Sequence, residues 1–360
     1  MKTIGIIGGG QLGMMLAERA LELGANSICL DPNPNCPASK ICKEVIACNY
    51  DDLEGLNLLG SKCDVLTYEF ENVPSDKLRY IKDKFNIPQG IMPLFDSQNR
   101  IREKENAKNH CLNTPRFKAI NSKADLLLGI KELGYPCVYK TTTLGYDGHG
   151  QVILRSDLDI KKVDPFLNGE GILEEFINYD FETSIIMVRD KEKCVYLPMG
   201  INYHKNGILD LCVVNEKKAI FDRIATDSIK FMESCNYYGI LTIEFFVKGD
   251  NYYFNEMAPR PHNSGHYSIE GTTNSQYDLL ARFLLEMELP TPKLKSPTIM
   301  KNILGFDYLN MKKITPSSNV FIHDYHKTDV REKRKMAHIT FTDMTIDEYN
   351  NKYKKLFCED

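Results

Sequence analysis

Glu244 in "LTIEFFV" and Glu256 in "YYFNEMAPR" flank a "KGDN" turn, with Asn255 beside the second glutamate. In a hairpin this short the two positions can lie across from each other on one face. Two carboxylates and an amide oxygen are hard ligands, suited to Mg²⁺ bridging nucleotide phosphates. Glutamates on a hairpin are ordinarily solvated, but these two are embedded in aromatic and apolar strand, where an unpaired charge is costly. Lys140 ends a strand before "LGYDGHGQ", a turn with three glycines in eight residues that also carries Tyr146 and Asp147. Such a turn lets backbone N–H groups approach a phosphate, with the lysine as a point charge. It is not a Walker A loop, and a flexible surface hairpin would read the same way. In "GILEEFINYDFETS" a strand runs into Glu174, Glu175, Phe176 and Ile177, and its end can offer backbone groups to an adenine ring. Glu182, seven residues past Glu175, can reach ribose hydroxyls. Arg260, His262, Asn263, Ser264 and His266 crowd one loop stiffened by Pro259 and Pro261, a density of donors typical of binding loops. Lys327, Arg334, Lys335 and His338 form a basic cluster in the tail, suited to one phosphate monoester or to solvent.

A second anion site opens the chain. "TIGII" reads as a buried strand, and Gly8, Gly10 and Gly13 follow with G-x-G-x-x-G spacing at the start of a helical pattern. A further strand ends in Asp31, 18 residues beyond Gly13. This is nearly the dinucleotide fingerprint, so an NAD-dependent dehydrogenase is one reading of the first 31 residues.

The elements that must position these groups point to an α/β chain of more than one domain, since single cores rarely grow past about 250–300 residues and this chain has 360. Residues 1–95 alternate strands ("TIGIIG", "SICLD", "EVIAC", "DVLTYEF") with helices at 11–27 and 51–62, the pattern of a parallel sheet with helices on both faces. Residues 96–180 hold a charged helix, "SQNRIREKENAKNHCL", and short strands around the Gly-rich turn. Strands dominate from 181 to 290, ending in the helix "SQYDLLARFLLEM". A Pro-rich linker leads to a C-terminal extension, 291–360, partly strand-like and basic at "REKRK". The formal charge of −4 argues against nucleic acid as a partner. No apolar run approaches the roughly 20 residues needed to span a membrane, and a strand begins too early to leave room for a signal peptide. Eleven cysteines without a C-x-x-C pair read as reduced thiols of a cytoplasmic protein, and make zinc an unexpected cofactor.

The segments together resemble the ATP-grasp enzymes, and among them the N5-carboxyaminoimidazole ribonucleotide synthetases of purine synthesis. The resemblance rests on "GGGQLGMML", "LDPNPNCPA", "TYEFENVP", "QNRIREK", "LGYDGHGQ", "ILEEFI", "INYHKNGIL", "EFFV", "NEMAPRPHNSGHYSIEG" and "RKMAH", in family order from residue 5 to 338. It implies an ATP-grasp fold: an N-terminal Rossmann-like domain, a small α+β lid, a large domain and a C-terminal extension. It also implies carboxylation of 5-aminoimidazole ribonucleotide by bicarbonate and ATP, with Mg²⁺ as cofactor, small molecules as partners and a homodimeric assembly. By the same resemblance, Arg100, Lys140 and Asn255 fall at the ATP phosphates. Glu174 to Ile177 fall at adenine, Glu182 at ribose with His204 nearby, and Glu244 and Glu256 at the metal. Tyr146 and Asp147 match the pair that handles bicarbonate and a proton, and Arg260, His262, Asn263 and Ser264 surround the carboxylation centre. Lys327, Arg334 and Lys335, with Gln11 and Leu12, match the grip on the substrate phosphate, and Glu69 the contact to its aminoimidazole. The glycine loop would then see that phosphate, not NAD. The alternative within the superfamily is a ligase joining formate to glycinamide ribonucleotide; a binding protein without activity is disfavoured by the intact Glu244, Glu256 and Lys140.

Four places depart from the family pattern. His149 stands where Arg or Lys is usual, His326 and Ala337 replace glycines, and "LCVVNEKK" differs from the small, Pro-containing stretch common there. Asp147, the lone carboxylate of its turn, is expected to take the amine proton rather than merely cap its own backbone. Asp147→Asn should keep ATP and ribonucleotide binding but lose carboxylation, read as labelled bicarbonate incorporated per ADP released. A ratio and rate near wild type would place the base elsewhere, with His262 or His266 next to test.

Overall fold

Strand β1 (Thr3–Ile7) is buried from Ile4 onward, as expected of the central strand of a parallel sheet covered on both faces. The structure is a computed structural model and describes residues 1–143, 150–215, 217–327 and 329–357. In the first sheet β1 is flanked by β2 (Asn26–Leu30) and β4 (Val65–Tyr68), with β3 (Glu44–Ile46) outside β2, all parallel. The helix expected over 11–27 stops at Glu22. Gly24, at φ +79°, takes the left-handed turn that ends it, and β2 starts two residues later. The next helix, Leu53–Lys62, is capped by Asp52, whose side chain accepts from the N–H groups of Glu54 and Gly55 at 2.9 and 3.3 Å.

The glycine loop closes on the protein itself. Gly13 is needed because a Cβ there would stand 2.8 Å from the Gly8 carbonyl oxygen. The Gly10 and Gly13 N–H groups donate to the two oxygens of Glu69, at 2.6 and 2.7 Å, and the Gly9 N–H donates to Asp31 at 2.8 Å. Tyr50 donates its hydroxyl to the same Asp31 oxygen at 2.8 Å. The Gly10 and Gly13 N–H groups at this helix N-terminus are thus taken by the protein's own Glu69 carboxyl, while Gln11 and Leu12 beside them line a cavity. The acid that would hold a ribose in a dinucleotide site is likewise spent on the loop. Titration calorimetry with NAD and NADP should therefore show no binding; a micromolar affinity for either would restore the dehydrogenase reading.

The second sheet is small and antiparallel, in the order β5 (Phe117–Ile120), β8 (Gly171–Glu175), β6 (Cys137–Thr141), β7 (Gln151–Leu154). The third has nine strands: β9 (Phe181–Arg189), β10 (Cys194–Tyr196), β11 (Ile201–Lys205), β12 (Ile208–Val214), β13 (Gly239–Lys248), β14 (Asn251–Ala258), β15 (Thr298–Leu304), β16 (Val320–Asp324) and β17 (Lys335–Thr342). Their order is β14-β13-β9-β11-β12-β15-β17-β16, with β10 beside β9. The sheet continues past the Pro-rich linker, so the boundary expected at residue 291 does not separate two sheets: β15 pairs directly with β12.

Helices Lys123–Leu133 and Ala219–Ser234 stand in stretches that read as strand-dominated. The second buries Phe221, Ile224, Ala225, Ser228, Phe231 and Met232, a helical spacing masked by its β-branched and aromatic residues. The charged helix covers Arg100–Asn109, capped by Asn99, and turns Glu103, Lys104 and Ala107 inward. Helix Gln276–Leu284 packs on helix Gln11–Glu22 and is tied to it by Arg19, which reaches Asp278 at 2.6 Å.

Candidate functional site

A cleft of about 730 Å³ lies between the small sheet and the large one, and a second cavity of about 250 Å³ opens from it toward the glycine loop. Glu71, Arg260, His262, Asn263 and Lys335 line both.

The hairpin β13–β14 forms the floor. Glu244 pairs with Glu256 as the turn predicts, but the register slips by one residue immediately after, so that Phe245 pairs with Phe254 and Asn255 is the extra residue of a bulge. In a regular strand neighbours point to opposite faces; here both Asn255 and Glu256 line the cleft. Burial, and then the charge of Glu256, push the Glu244 carboxyl up to about 7. Burial also works against Glu256, yet Arg100 and Lys140 outweigh it and hold that carboxyl below its ordinary range. The Arg100 guanidinium is 2.9 Å from Glu256. The Arg100 N–H bonds the Thr142 carbonyl at 2.9 Å, which ties the start of the charged helix to the end of β6.

Lys140 on β6 and Glu174 on β8 sit diagonally across the small sheet and pair at 2.9 Å, both nearly dry. Lys140 also donates to the Asn255 amide oxygen at 3.3 Å. Lys104 completes this corner: fully buried, it donates to the Asn255 carbonyl at 2.7 Å and lies 3.4 Å from Glu174. Its neighbour Glu103 accepts the Met257 N–H, and burial pushes its carboxyl up to about 8. Neither Lys104 nor Glu103 stands out in the sequence; the signal available was their place with Arg100 and Ala107 on one helix face.

Glu174 therefore brings a buried counter-ion to this corner rather than only backbone. The Glu175 N–H is engaged by the Arg116 carbonyl at 2.8 Å and the Ile177 carbonyl by Tyr179 at 3.0 Å. The lining of the cleft includes the apolar side chains Val138, Ile153, Phe176, Ile177, Leu209 and Phe246. Glu182 accepts from the Tyr179 hydroxyl at 2.6 Å and stands 3.3 Å from His204. Burial lowers the basicity of His204, but Glu182 reverses this and its pKa is raised. Single ligand atoms of Glu182, His204 and Glu244 all lie within 4.8 Å of one another, a grouping that includes Glu244 but not Glu256.

At the junction of the two cavities, Arg260 bonds Glu71, whose carboxylate it holds below the ordinary range against the effect of burial. The His262 Nε2 is 3.1 Å from Glu244. Burial, and then Arg260 and Lys335, hold the His262 pKa well below the usual value. Asn263 is 7% exposed, and among the described residues neither atom of its amide finds a partner. The smaller cavity adds Gln11, Leu12, Glu69 and Phe70. Glu69 borders it with its oxygens already bonded to the glycine loop.

Two expected substrate contacts, Ser264 and Arg334, are placed differently. Ser264 lines neither cavity and is bonded to His262 and Ser184. Arg334 points away, to Asp329, and is also absent from both linings. Lys327 donates at 2.8 Å to the carbonyl of Lys335, which lines both cavities, and burial, then Arg334, lowers its pKa to about 8. Tyr146, Asp147 and His149 lie outside the described residues. His326 has φ +55°, the region a glycine favours, which fits the glycine it replaces. His266 is buried against Tyr277, away from both cavities.

Three family models match successive parts of the chain: a ribonucleotide synthetase pre-ATP-grasp domain at residues 1–93, an ATP-grasp domain at 105–277, and a phosphoribosylaminoimidazole carboxylase C-terminal domain at 298–352. The N5-carboxyaminoimidazole ribonucleotide synthase of Staphylococcus haemolyticus is 37% identical over 360 residues, covering 99% of this chain and 96% of that protein. The N5-carboxyaminoimidazole synthetase of Staphylococcus aureus, solved with ADP, superposes with a TM-score of 0.96 at 35% identity, covering 99% of this chain and 97% of that one. The Aspergillus clavatus enzyme, solved with ADP and 5-aminoimidazole ribonucleotide, superposes with a TM-score of 0.91 at 28% identity, with coverage of 99% and 97%. With the ATP-grasp fold, the parallel N-terminal sheet and the two joined cavities in place, this chain belongs to the N5-carboxyaminoimidazole ribonucleotide synthase family of ATP-grasp ligases.

Proposed function

We propose that this chain joins bicarbonate to the exocyclic amine of 5-aminoimidazole ribonucleotide, with ATP converted to ADP and phosphate, as a step of purine synthesis. The observation that carries this reading is the junction of a large charged cleft with a smaller cavity through Arg260, His262 and Asn263. One compartment has the size and polarity for a nucleoside triphosphate, and the other for a phosphorylated ring. No observation favours formate transfer to glycinamide ribonucleotide.

In this reading adenine lies against Val138, Ile153, Leu209 and Phe246, and the ribose hydroxyls meet Glu182. Lys140, Arg100 and Asn255 hold the phosphates, and the positive charge of the first two offsets that spread over the transferring phosphoryl group. Glu244 and Glu256 fit a divalent cation: they are adjacent and lie within the cleft, and burial, then the charge of Glu256, makes a bare Glu244 carboxylate unfavourable there. Mg²⁺ held there, with Asn255 or His204 and Glu182 alongside, would neutralise phosphate oxygens and orient them for in-line transfer. Bicarbonate becomes carboxyphosphate, a far better electrophile, and the amine attacks it or the CO₂ it releases. Arg260, His262 and Asn263 enclose the carboxylate, and Asp147, from the Gly-rich turn, takes the amine proton. Lys327 and Lys335, with Gln11 and Leu12, hold the 5′-phosphate. By family resemblance we further infer a cytoplasmic homodimer.

The deciding assay is ADP release with each candidate ribonucleotide, with and without bicarbonate: release should require both 5-aminoimidazole ribonucleotide and bicarbonate. It should also require Mg²⁺, and Glu256→Gln should slow it at least about 100-fold, the scale of losing one electrostatic stabiliser. Unchanged ADP production in that variant would sink the metal assignment. A second expectation concerns pH. With its pKa lowered to about 8, Lys327 is charged below that pH and loses its charge above it. The KM for the ribonucleotide should therefore rise between pH 7.5 and 9 by up to about tenfold, the scale of one lost charged contact. Lys327→Arg should flatten the rise, because Arg stays charged across this range; an equally steep profile in that variant would remove Lys327 from the phosphate site.

A further inference from the structure

We infer that Tyr179 is a positioning residue that sets this chain's preference for a ribonucleotide over a nucleotide without sugar hydroxyls, by holding the Glu182 carboxylate in the orientation that meets the ribose diol. The inference rests on the proposed place of the ribose at Glu182 and deepens it. The fold brings the Tyr179 hydroxyl to this carboxylate in two steps. Glu182, the second residue of β9, lies directly across from Phe246 on β13, and both line the large cleft. Just before β9 the chain is pinned to the β13–β14 hairpin. The Asp180 N–H donates to the Val247 carbonyl at 2.8 Å, and the Asp180 carboxylate accepts the Gly249 N–H at 2.7 Å. The Tyr179 N–H is held in turn by the Ile177 carbonyl at 3.0 Å. With the backbone fixed around it, the Tyr179 ring stacks on Phe246, centroids 4.8 Å apart and planes within 14°. Its hydroxyl then meets the side chain across the ladder from that phenylalanine, donating to Glu182 Oε1 at 2.6 Å.

A free glutamate in a cleft loses rotamer freedom when a ligand binds it, and that loss weakens binding. The Tyr179 bond removes much of this freedom beforehand. The second oxygen, Oε2, stands 3.3 Å from the His204 Nδ1, so the carboxylate is flanked on two sides. Each carboxylate oxygen has two acceptor positions, and each therefore keeps one for a sugar hydroxyl. The phenol remains a donor, because burial and then the bond to Glu182 push its pKa up. A sugar without hydroxyls has nothing to offer a carboxylate aimed in this way. The contribution of the Tyr179 hydroxyl is thus confined to nucleotides that carry the diol, whereas a general support of the cleft would serve every nucleotide alike.

Titration calorimetry with ADP and with 2′,3′-dideoxyADP, each with Mg²⁺, tests this on the full chain and needs no turnover. The wild-type protein should bind ADP at least about tenfold more tightly than the dideoxy analogue, the scale of hydrogen bonds to a charged group. Tyr179→Phe keeps the ring and its stack and removes only the hydroxyl. In that variant the Kd for ADP should rise roughly 3- to 10-fold, the scale of one hydrogen bond, while the Kd for the dideoxy analogue stays within about twofold. In turnover the KM for ATP should rise by a similar factor with kcat within about twofold, because a sugar contact is made equally in the ground and transition states. Equal weakening of both nucleotides in Tyr179→Phe would show a merely structural role and overturn the inference, and so would an unchanged Kd for ADP. Equal binding of the two nucleotides by the wild-type protein would overturn the inference together with the place of the ribose at Glu182. Failure of 5-aminoimidazole ribonucleotide and bicarbonate to trigger ADP release would overturn the proposed reaction alone, since the calorimetry decides the role of Tyr179 without it.

Discussion

Two glutamates held side by side out of water create a charge problem that much of this molecule answers. Glu244 and Glu256 face each other across one hairpin, in a setting where bringing unbalanced charge together costs several kcal/mol. The compensating groups come from separate parts of the chain: Arg100 and Lys104 from a helix, Lys140 from the small sheet, and His262 and Arg260 from the loop after β14. Their counter-charges are in turn fixed by Glu174, Glu103 and Glu71. At the cleft the small sheet and the charged helix meet the large sheet through ionic and hydrogen-bonded contacts, whereas the N-terminal sheet and the large one share a hydrophobic core. A site built this way is well suited to a highly charged ligand, because phosphates and a divalent cation enter an array whose dipoles and charges are already oriented.

The same array explains what was legible beforehand. The pairing of Glu244 with Glu256, the strand ending in Lys140, and the loop bearing Arg260, His262 and Asn263 depend on short-range spacing, and spacing is what a sequence displays. The bulge at Asn255 does not, because it is a register slip decided by packing on both faces of the sheet. Lys104 and Glu103 look like ordinary solvated helix charges, and only the partners waiting across the cleft make them interior residues. Glu174 illustrates the converse: its backbone role was expected from the motif, while its side chain proved to be the counter-ion of two lysines.

At the glycine loop the local pattern was accurate and the inference from it needed the rest of the chain. In a fingerprint for binding an anion at a helix N-terminus, the Gly10 and Gly13 N–H groups are taken by Glu69, just past the protein's own fourth strand. Nothing within the first 31 residues distinguishes an internal carboxylate from a bound diphosphate. The long helix at 219–234 was hidden for a different reason, since residues such as Ile220, Phe221 and Ile224 suit a strand as well as a helix until their spacing is weighed over several turns.

The order of strands in the large sheet has a consequence for how the chain is made. β12 ends at Val214, yet its neighbour β15 begins only at Thr298, and Ile299, Ile303, Ile339 and Phe341, which cover Val213, are among the later residues synthesised. On a ribosome, β12 emerges with a bare edge and waits for its partner, on the order of ten seconds at ordinary elongation rates. The parallel N-terminal sheet, in contrast, is assembled from residues 3 to 68 and can close early. The nascent chain therefore spends that interval with an exposed apolar edge, which makes this stretch of translation one at which aggregation competes with folding and a chaperone would be of use.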